Sequence, residues 1–267
     1  MIFDIVTIFP EMVAAPLGQS ILGKAVERKV IEVRIFNIRD FAAGPHRSTD
    51  DRPFGGGSGM VMKPEPLVAA IRCASRADPP ARVVLLSPRG RVFNQEIAWE
   101  LGRHHHICLV CGRYEGVDER VRCYVHDEIS IGDYILTGGE LPALVVLDAV
   151  ARLVPGVLGR YESAGEESFV DGLLEYPQYT RPEIFEGHRT PEVLLSGNHG
   201  AIRRWRRQQS LLRTWQSRPE LLKHARLSSE DRQLLTEAVQ REKAHGETPR
   251  ILQEHGDADS SGNGNTD

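Results

Sequence analysis

Gly112-Arg113-Tyr114-Glu115-Gly116 and, further on, Ser130-Ile131-Gly132-Asp133-Tyr134-Ile135-Leu136-Thr137-Gly138-Gly139-Glu140-Leu141-Pro142 are the stretches on which the fold turns. Each closes an apolar, strand-like run, residues 107–110 and 124–131 respectively. A third turn, Leu86-Ser87-Pro88-Arg89-Gly90, follows the run 83–86. Three strands that end in glycine- or proline-rich turns bring bare backbone N–H and C=O groups around one ligand, because glycine lets the chain approach closely. None of the turns carries a lysine or opens a helix with a phosphate nest, so a nucleoside triphosphate is not the expected ligand.

Outward from these turns, strand and helix patterns alternate. Residues 3–9 and 30–36 read as strands around a helix 17–28, with Pro16 in its first turn. Residues 65–76 read as a helix and 82–86 as a strand. A helix over 94–101 is capped by Asn94, and 141–153 is a mostly apolar helix. Such alternation predicts an α/β fold with a parallel sheet covered on both faces. Small and acidic residues over 159–172 predict a linker between a first domain, 1–158, and a second, 173–246. The second reads as helical only from 189 to 242, with Ser228 and Asp231 starting the last helix. The tail 247–267 is expected to be disordered, its last part, 255–267, being rich in Gly, Ser, Asn and Asp.

Composition bounds the rest. The 267 residues, 40% hydrophobic and 26% charged, suit one sizeable core and a smaller second one. There is no long uncharged apolar run, and Asp4 interrupts the segment 2–9. Neither a signal peptide nor a membrane span is therefore expected, and the expected location is cytoplasmic. Four cysteines are too few for a disulfide framework. Cys108 and Cys111 form a C-x-x-C beside His104-His105-His106, but on a strand the odd spacing points the thiols to opposite faces. They read as reduced core residues, and no metal site is expected.

The formal net charge of −4 argues against a general nucleic-acid binder. Charge is nevertheless concentrated. Between Asn198 and Arg226 stand eight basic residues, Arg203, Arg204, Arg206, Arg207, Arg213, Arg218, Lys223 and Arg226, against the single acid Glu220. Trp205, Leu212 and Trp215 share a separate helical stripe, so the segment predicts an amphipathic helix with an arginine face suited to phosphates. A second chemical segment is the loop 46–60, which contains Asp50-Asp51-Arg52-Pro53-Phe54-Gly55-Gly56-Gly57-Ser58-Gly59-Met60. The dinucleotide pattern fails at Met62 and the P-loop pattern at Met60. What remains is a mobile loop with cations, carboxylates and a ring, able to close on a flat polar object such as a base.

These motifs resemble those of the bacterial tRNA (guanine-N1)-methyltransferases of the SPOUT superfamily. Besides the segments quoted, the resemblance rests on Val117-Asp118-Glu119-Arg120, Ala143, Pro155-Gly156-Val157-Leu158-Gly159, Tyr179-Thr180-Arg181-Pro182 and Asn198-His199, and it runs from Met1 to about Ala244. It implies methyl transfer from S-adenosylmethionine to N1 of guanosine 37 of tRNA. It also implies a deep trefoil knot around the three turns and a small all-α C-terminal domain. The partners implied are tRNA and a second copy, in a homodimer with the active site between subunits and no membrane. The donor would lie against Leu86, Ser87, Pro88, Gly112, Tyr114, Glu115, Gly116, Ile131, Gly132, Tyr134, Leu136, Gly138, Gly139 and Pro142. The tRNA would meet Asp50, Gly55, Gly57, Ser58, Gly59, Asn198, His199, Arg203, Arg206 and Arg207.

The chemistry asks for more than a donor site. Guanine N1 carries a proton at neutral pH, and its loss places negative charge toward O6. A base near N1 and a cation near O6 are needed. The resemblance implies Arg152 as the cation. For the base, the family's aspartate before a Ser-Phe pair is replaced here by Glu167, in Glu166-Glu167-Ser168-Phe169, with Glu166 and Asp171 as alternatives. Ser58 stands where some family members have proline. The family implies a dependence on magnesium (Mg2+), yet the sequence shows no closed carboxylate cage, so an ion would bridge water, substrate and acids. Two other readings share parts of this pattern. A different SPOUT enzyme, acting on ribose 2′-hydroxyls or ribosomal RNA, would keep the knot. A non-catalytic RNA-binding module would need only the arginine face.

Overall fold

A computed structural model describes residues 1–76, 78–158, 168–169 and 171–244. The chain divides into two compact units, Met1–Tyr161 and Glu162–Asp267.

The first unit is built on one parallel sheet. In chain order its elements are β1 (Ile2–Thr7), α1 (Pro10–Leu17), α2 (Ser20–Glu27), β2 (Glu32–Asn37), the two-residue strands β3 (Asp50–Asp51) and β4 (Val61–Met62), and α3 (Pro64–Ala74). They continue as β5 (Arg82–Val92), α4 (Gln95–Gly102), β6 (His106–Cys111), β7 (Asp127–Ser130) and α5 (Glu140–Ala151). The sheet order is β2-β1-β6-β5-β7, with every pair parallel. Strand β6 sits at the centre and all six of its residues are buried. Its period of two sorts the core into two layers. Ile107, Leu109 and Cys111 join Phe3, Ile5 and the buried faces of α4 and α5, whereas Cys108 and Val110 join Val6, Leu85 and α3. The two thiols thus lie on opposite faces, and burial pushes both of them up, out of the range of a reactive or metal-binding thiolate. Each buried aliphatic of this kind contributes roughly 1.5–3 kcal/mol.

Several boundaries differ from the sequence reading. The single helix 17–28 is two helices. Pro10 starts α1, and Pro16 lies near its end rather than at the start of the next helix. The chain turns at Gly18 and Gln19, and Ser20 has a positive φ of 57°. Tyr124 ends a 3-10 turn, Glu119–Tyr124, so the third strand begins only at Asp127. The turn after Leu86 is an excursion within β5, since both Leu86 and Arg91 pair with Ile129. Asn94 caps α4 as expected, accepting from the Ile97 N–H at 3.0 Å. Asp4, which interrupts the first apolar run, is fully buried. It accepts from Arg34 at 2.6 and 2.8 Å and lies 2.7 Å from His106 Nε2.

Among its described residues the second unit is helical except for a hairpin, which departs from the expected all-α domain and ends where the segment 189–242, read as helical, begins. Strands β8 (Ile184–Phe185) and β9 (His188–Arg189) are joined by Glu186 and Gly187, both at positive φ, the signature of a type I′ turn. Glu-Gly is a weaker turn signal than Asn-Gly, which hid it. Helices α6 (Glu192–Leu195), α7 (His199–Ser217) and α8 (Ser229–Ala244) follow, and α7 and α8 pack around Leu211 and Leu234. Ser228 and Asp231 exchange backbone-to-side-chain bonds of 3.0 Å at the start of α8, a reciprocal cap.

Arg207 of α7 holds the same carboxylate at 2.7 and 3.0 Å. This guanidinium, with the Ser228 cap, pulls Asp231 down to about 2 from its ordinary 3.8. A depressed acid contributes stability that is present above pH 4 and lost as pH falls toward 2. Asp231→Asn is therefore expected to cost this unit about 2 kcal/mol at pH 7 and almost nothing at pH 2. Urea unfolding in a Trp99→Phe background, where Trp205 and Trp215 report on this unit, checks it. Equal losses at both pH values would contradict the linkage. Among the described residues, no helix is long and apolar enough to cross a membrane.

Candidate active site

The three glycine-rich strand ends meet. They line one cavity of about 400 Å³, within the range of small-molecule sites. Every residue assigned above to the donor lies on its wall. Each strand end reaches it by a different local device. After Leu86 the chain leaves the β5 ladder and returns through Gly90, where a Cβ would sit 2.4 Å from the Glu128 backbone. After Cys111, Tyr114 adopts a positive φ of 60° and the Gly116 N–H closes onto the Arg113 carbonyl at 3.1 Å. After Ser130, Gly132 turns the chain at φ 142°, held by its own N–H to Ser130 Oγ at 3.2 Å.

The segment after Gly132 then crosses the segment after Cys111. Gly139 N–H donates to Gly112 O at 2.9 Å, and Gly138 pairs with Arg113. There is no room for a side chain at this crossing. A Cβ on Gly139 would lie 2.7 Å from Cys111 Cα, and one on Gly138 would lie 2.1 Å from Arg113 Nε. The cavity is therefore lined by closely crossing chain segments, in which glycines stand beside Leu86, Tyr114, Ile131, Tyr134 and Leu136.

Beneath the wall runs a buried polar relay that the sequence reading did not single out. Arg113 Nε donates to Glu140 Oε2 at 2.9 Å, and Thr7 Oγ1 donates to Glu140 Oε1 at 2.7 Å. Glu140 is 1% exposed, in the first turn of α5, where the helix dipole favours a carboxylate. Arg113 also donates to the Thr137 carbonyl at 3.1 Å and sits 4.5 Å from the Phe9 ring centroid. The relay thus ties the end of β1, the turn after β6 and the loop before α5 to one another. The available sequence signal was an acid at the head of a mostly apolar helix.

The loop 46–60 is fastened to the same turns. Strands β3 and β4 pair antiparallel, Asp50 with Met62 and Asp51 with Val61. At its base, the Glu115 N–H donates to Met60 O and the Met62 N–H to Gly116 O, both at 3.0 Å. Gly59, at φ 84°, packs so closely on Glu115 that a Cβ would lie 2.4 Å from its Oε1. Gly55, Gly57 and Ser58 lie in the exposed tip, where Phe54 is fully exposed. Arg152 follows α5 as its C-cap, its N–H bonded to Asp148 O at 3.2 Å. It shares the exposed stripe of that helix with Leu141, Val145 and Asp148.

In the second unit the assigned residues divide by duty. Asn198 caps α7, accepting from Ala201 N–H at 3.1 Å, and exposed His199 begins the helix. Arg203 is exposed, whereas Arg206 lies 4.7 Å from the Tyr176 ring centroid. Arg207, held by Asp231, also reaches Asp171 at 3.3 Å. Glu166 and Glu167 lie outside the described residues. Among the described residues no group of three or more His, Cys, Asp or Glu side chains comes together as a metal cage.

The family described as tRNA (Guanine-1)-methyltransferase TrmD matches residues 1–224. A protein named tRNA (guanine-N(1)-)-methyltransferase from Syntrophotalea carbinolica is 56% identical over 247 residues, 92% of this chain and 100% of that protein. Proteins of the same name are 60% identical in Geotalea uraniireducens, over 89% of this chain and 96% of the relative, and 59% in Pelotomaculum thermopropionicum, over 90% and 96%.

Proposed function

Since the chain belongs to the tRNA (guanine-1)-methyltransferase family, we propose that it is the enzyme that methylates N1 of guanosine 37 in tRNA, with S-adenosylmethionine as donor. The observation that carries the donor half is the meeting of three distant strand ends at one cavity. The crossing at Gly138 and Gly139 supports this reading, because side chains there would push apart the two segments that line the cavity.

Leu86, Gly112, Gly116, Ile131, Leu136 and Gly138 would hold the donor through main-chain groups. Gly138, packed on Arg113, would keep it bent. When bound, the donor supplies a methyl group already activated by a sulfonium. Alignment and activation of the acceptor are then the protein's task. Glu167 would accept the N1 proton, and Arg152 would offset the charge that develops at O6. The Asp50–Gly59 tip would cover the base, and Arg203 and Arg206 would hold anticodon-stem phosphates. The described residues offer no ready-made magnesium cage.

Around the cavity we assign a deep trefoil knot, with a second copy completing the site. Support for the dimer comes from an apolar face: Leu141 and Val145 of α5 are 50% and 47% exposed, beside α1 with exposed Met12. Analytical ultracentrifugation is expected to show a dimer that Val145→Arg dissociates.

The assignment is tested by methylating a tRNA transcript and digesting it to nucleosides. The expected product is 1-methylguanosine, absent when guanosine 37 is replaced by adenosine. A 2′-O-methyl ribose would refute it. For the base, Glu167→Gln is expected to slow single-turnover methylation by about 100-fold or more, while Glu166→Gln and Asp171→Asn stay near the parent rate. An active Glu167→Gln would move the role to one of its neighbours.

A further inference from the structure

A second cavity, of about 350 Å³, opens at the opposite edge of the sheet from the donor cleft and shares no residue with it. Arg82 opens β5, while His104 and His126 precede β6 and β7, so this cavity sits where the strands begin. Its polar wall is Arg72, Ser75, Arg82, His104, Tyr124 and His126, with no carboxylate.

Three details give this wall a direction. The Arg82 Nε is enclosed and has no hydrogen-bond partner. Glu100 acts on Arg82 through charge, and its carboxylate is already held by Arg91 at 3.0 Å. An enclosed N–H donor without an acceptor is costly, so a rotation of the Arg82 guanidinium toward an acceptor in the cavity would be favoured. Arg72 is placed 5.0 Å from the Tyr124 ring centroid, which restrains its guanidinium at the rim. It lies in the last turn of α3, where it offsets the carbonyl end of the helix. His126 Nδ1 accepts from the Val83 N–H at 2.9 Å, so its Nε2 carries the ring proton and is a further donor.

The geometry points to an anion site for a phosphate group, bound by Arg82 and Arg72 with His126 as a neutral donor. Guanidinium groups bind phosphate through paired, charge-assisted bonds, and two of them without a hydrogen-bonded carboxylate match its charge. The site is independent of the methyl-transfer reading. Its ligand is either a free small phosphate compound or a phosphodiester of bound RNA.

The test titrates the full-length protein with inorganic pyrophosphate and follows the backbone amides of Val83, Tyr124 and His126 by NMR, without and with saturating S-adenosylmethionine. Saturable shifts at these amides, indifferent to the donor, are expected. Arg82→Gln and the exposed Arg72→Gln should each weaken binding about tenfold or more, with Arg82→Lys intermediate. Amide spectra away from the site report that each variant is folded. No saturable shift, shifts abolished by S-adenosylmethionine, or unchanged affinity in Arg72→Gln would overturn the proposal. Displacement of pyrophosphate by tRNA would identify an RNA phosphodiester as the ligand, and persistence a small phosphate compound.

Discussion

Gly139→Ala is expected to lower the affinity for S-adenosylmethionine about 100-fold and the stability of the first unit by about 3 kcal/mol. The cause is contact alone. Gly139 has an ordinary φ of −83°, open to any residue, so alanine brings no backbone strain. Its methyl would instead meet Cys111 Cα at 2.7 Å and Gly112 N at 3.0 Å. Those atoms belong to the end of the central strand and cannot swing aside as a side chain would. The two crossing segments must separate, the 2.9 Å bond from Gly139 N–H to Gly112 O must stretch, and both walls of the cavity shift together. Gly18→Ala is the matched control. Gly18 has a φ of −82° and its nearest foreign atom would be 3.9 Å away, so that change should be neutral. Calorimetric titration with the donor and chemical denaturation give the two numbers. Parent-like affinity in Gly139→Ala would show that the crossing does not shape the donor site.

The second large effect is expected from Glu140→Ala, at about 3–5 kcal/mol. Arg113 keeps only 13% of its side chain exposed and would lose its bonded carboxylate, leaving a largely buried charge with only the Thr137 carbonyl and the Phe9 ring against it. Thr7 Oγ1 would lose its acceptor as well. Glu140→Gln keeps the acceptor for Thr7 and should cost less. The double variant Arg113→Met with Glu140→Leu removes both charges and should recover most of the stability, because well-packed apolar residues often replace a buried pair at little loss. It should not recover donor binding. The Thr137 carbonyl would have lost its 3.1 Å tie to Arg113, and Thr137 lies on the cavity wall. Recovery of both properties would reduce the relay to packing. Failure to recover stability would contradict the charge argument.

Local patterns were legible in the chain. The Asn94 cap, the Ser228–Asp231 cap and the opposed faces of Cys108 and Cys111 each follow from neighbours a few residues apart. Capping chemistry and strand period act at that range. Misreadings also have local causes. A proline inside the last turn of α1 looks like one at the first turn of α2. A Glu-Gly hairpin lacks the usual turn residues.

By itself the sequence determined the family, the parallel α/β layout, the three glycine-rich strand ends and the arginine-rich helix, because periodicity, turn chemistry and motif order are written along the chain. Tertiary structure alone decided that the three ends share one cavity, that Gly138 and Gly139 sit at a crossing, and that Arg207 is held by Asp231. It also decided that Glu140 answers to Thr7, 133 residues away, and that Arg82 faces a second cavity without an acid. These are matters of which distant atoms come within about 3 Å of each other. Burial then sets whether each such meeting is worth a few tenths of a kcal/mol or several.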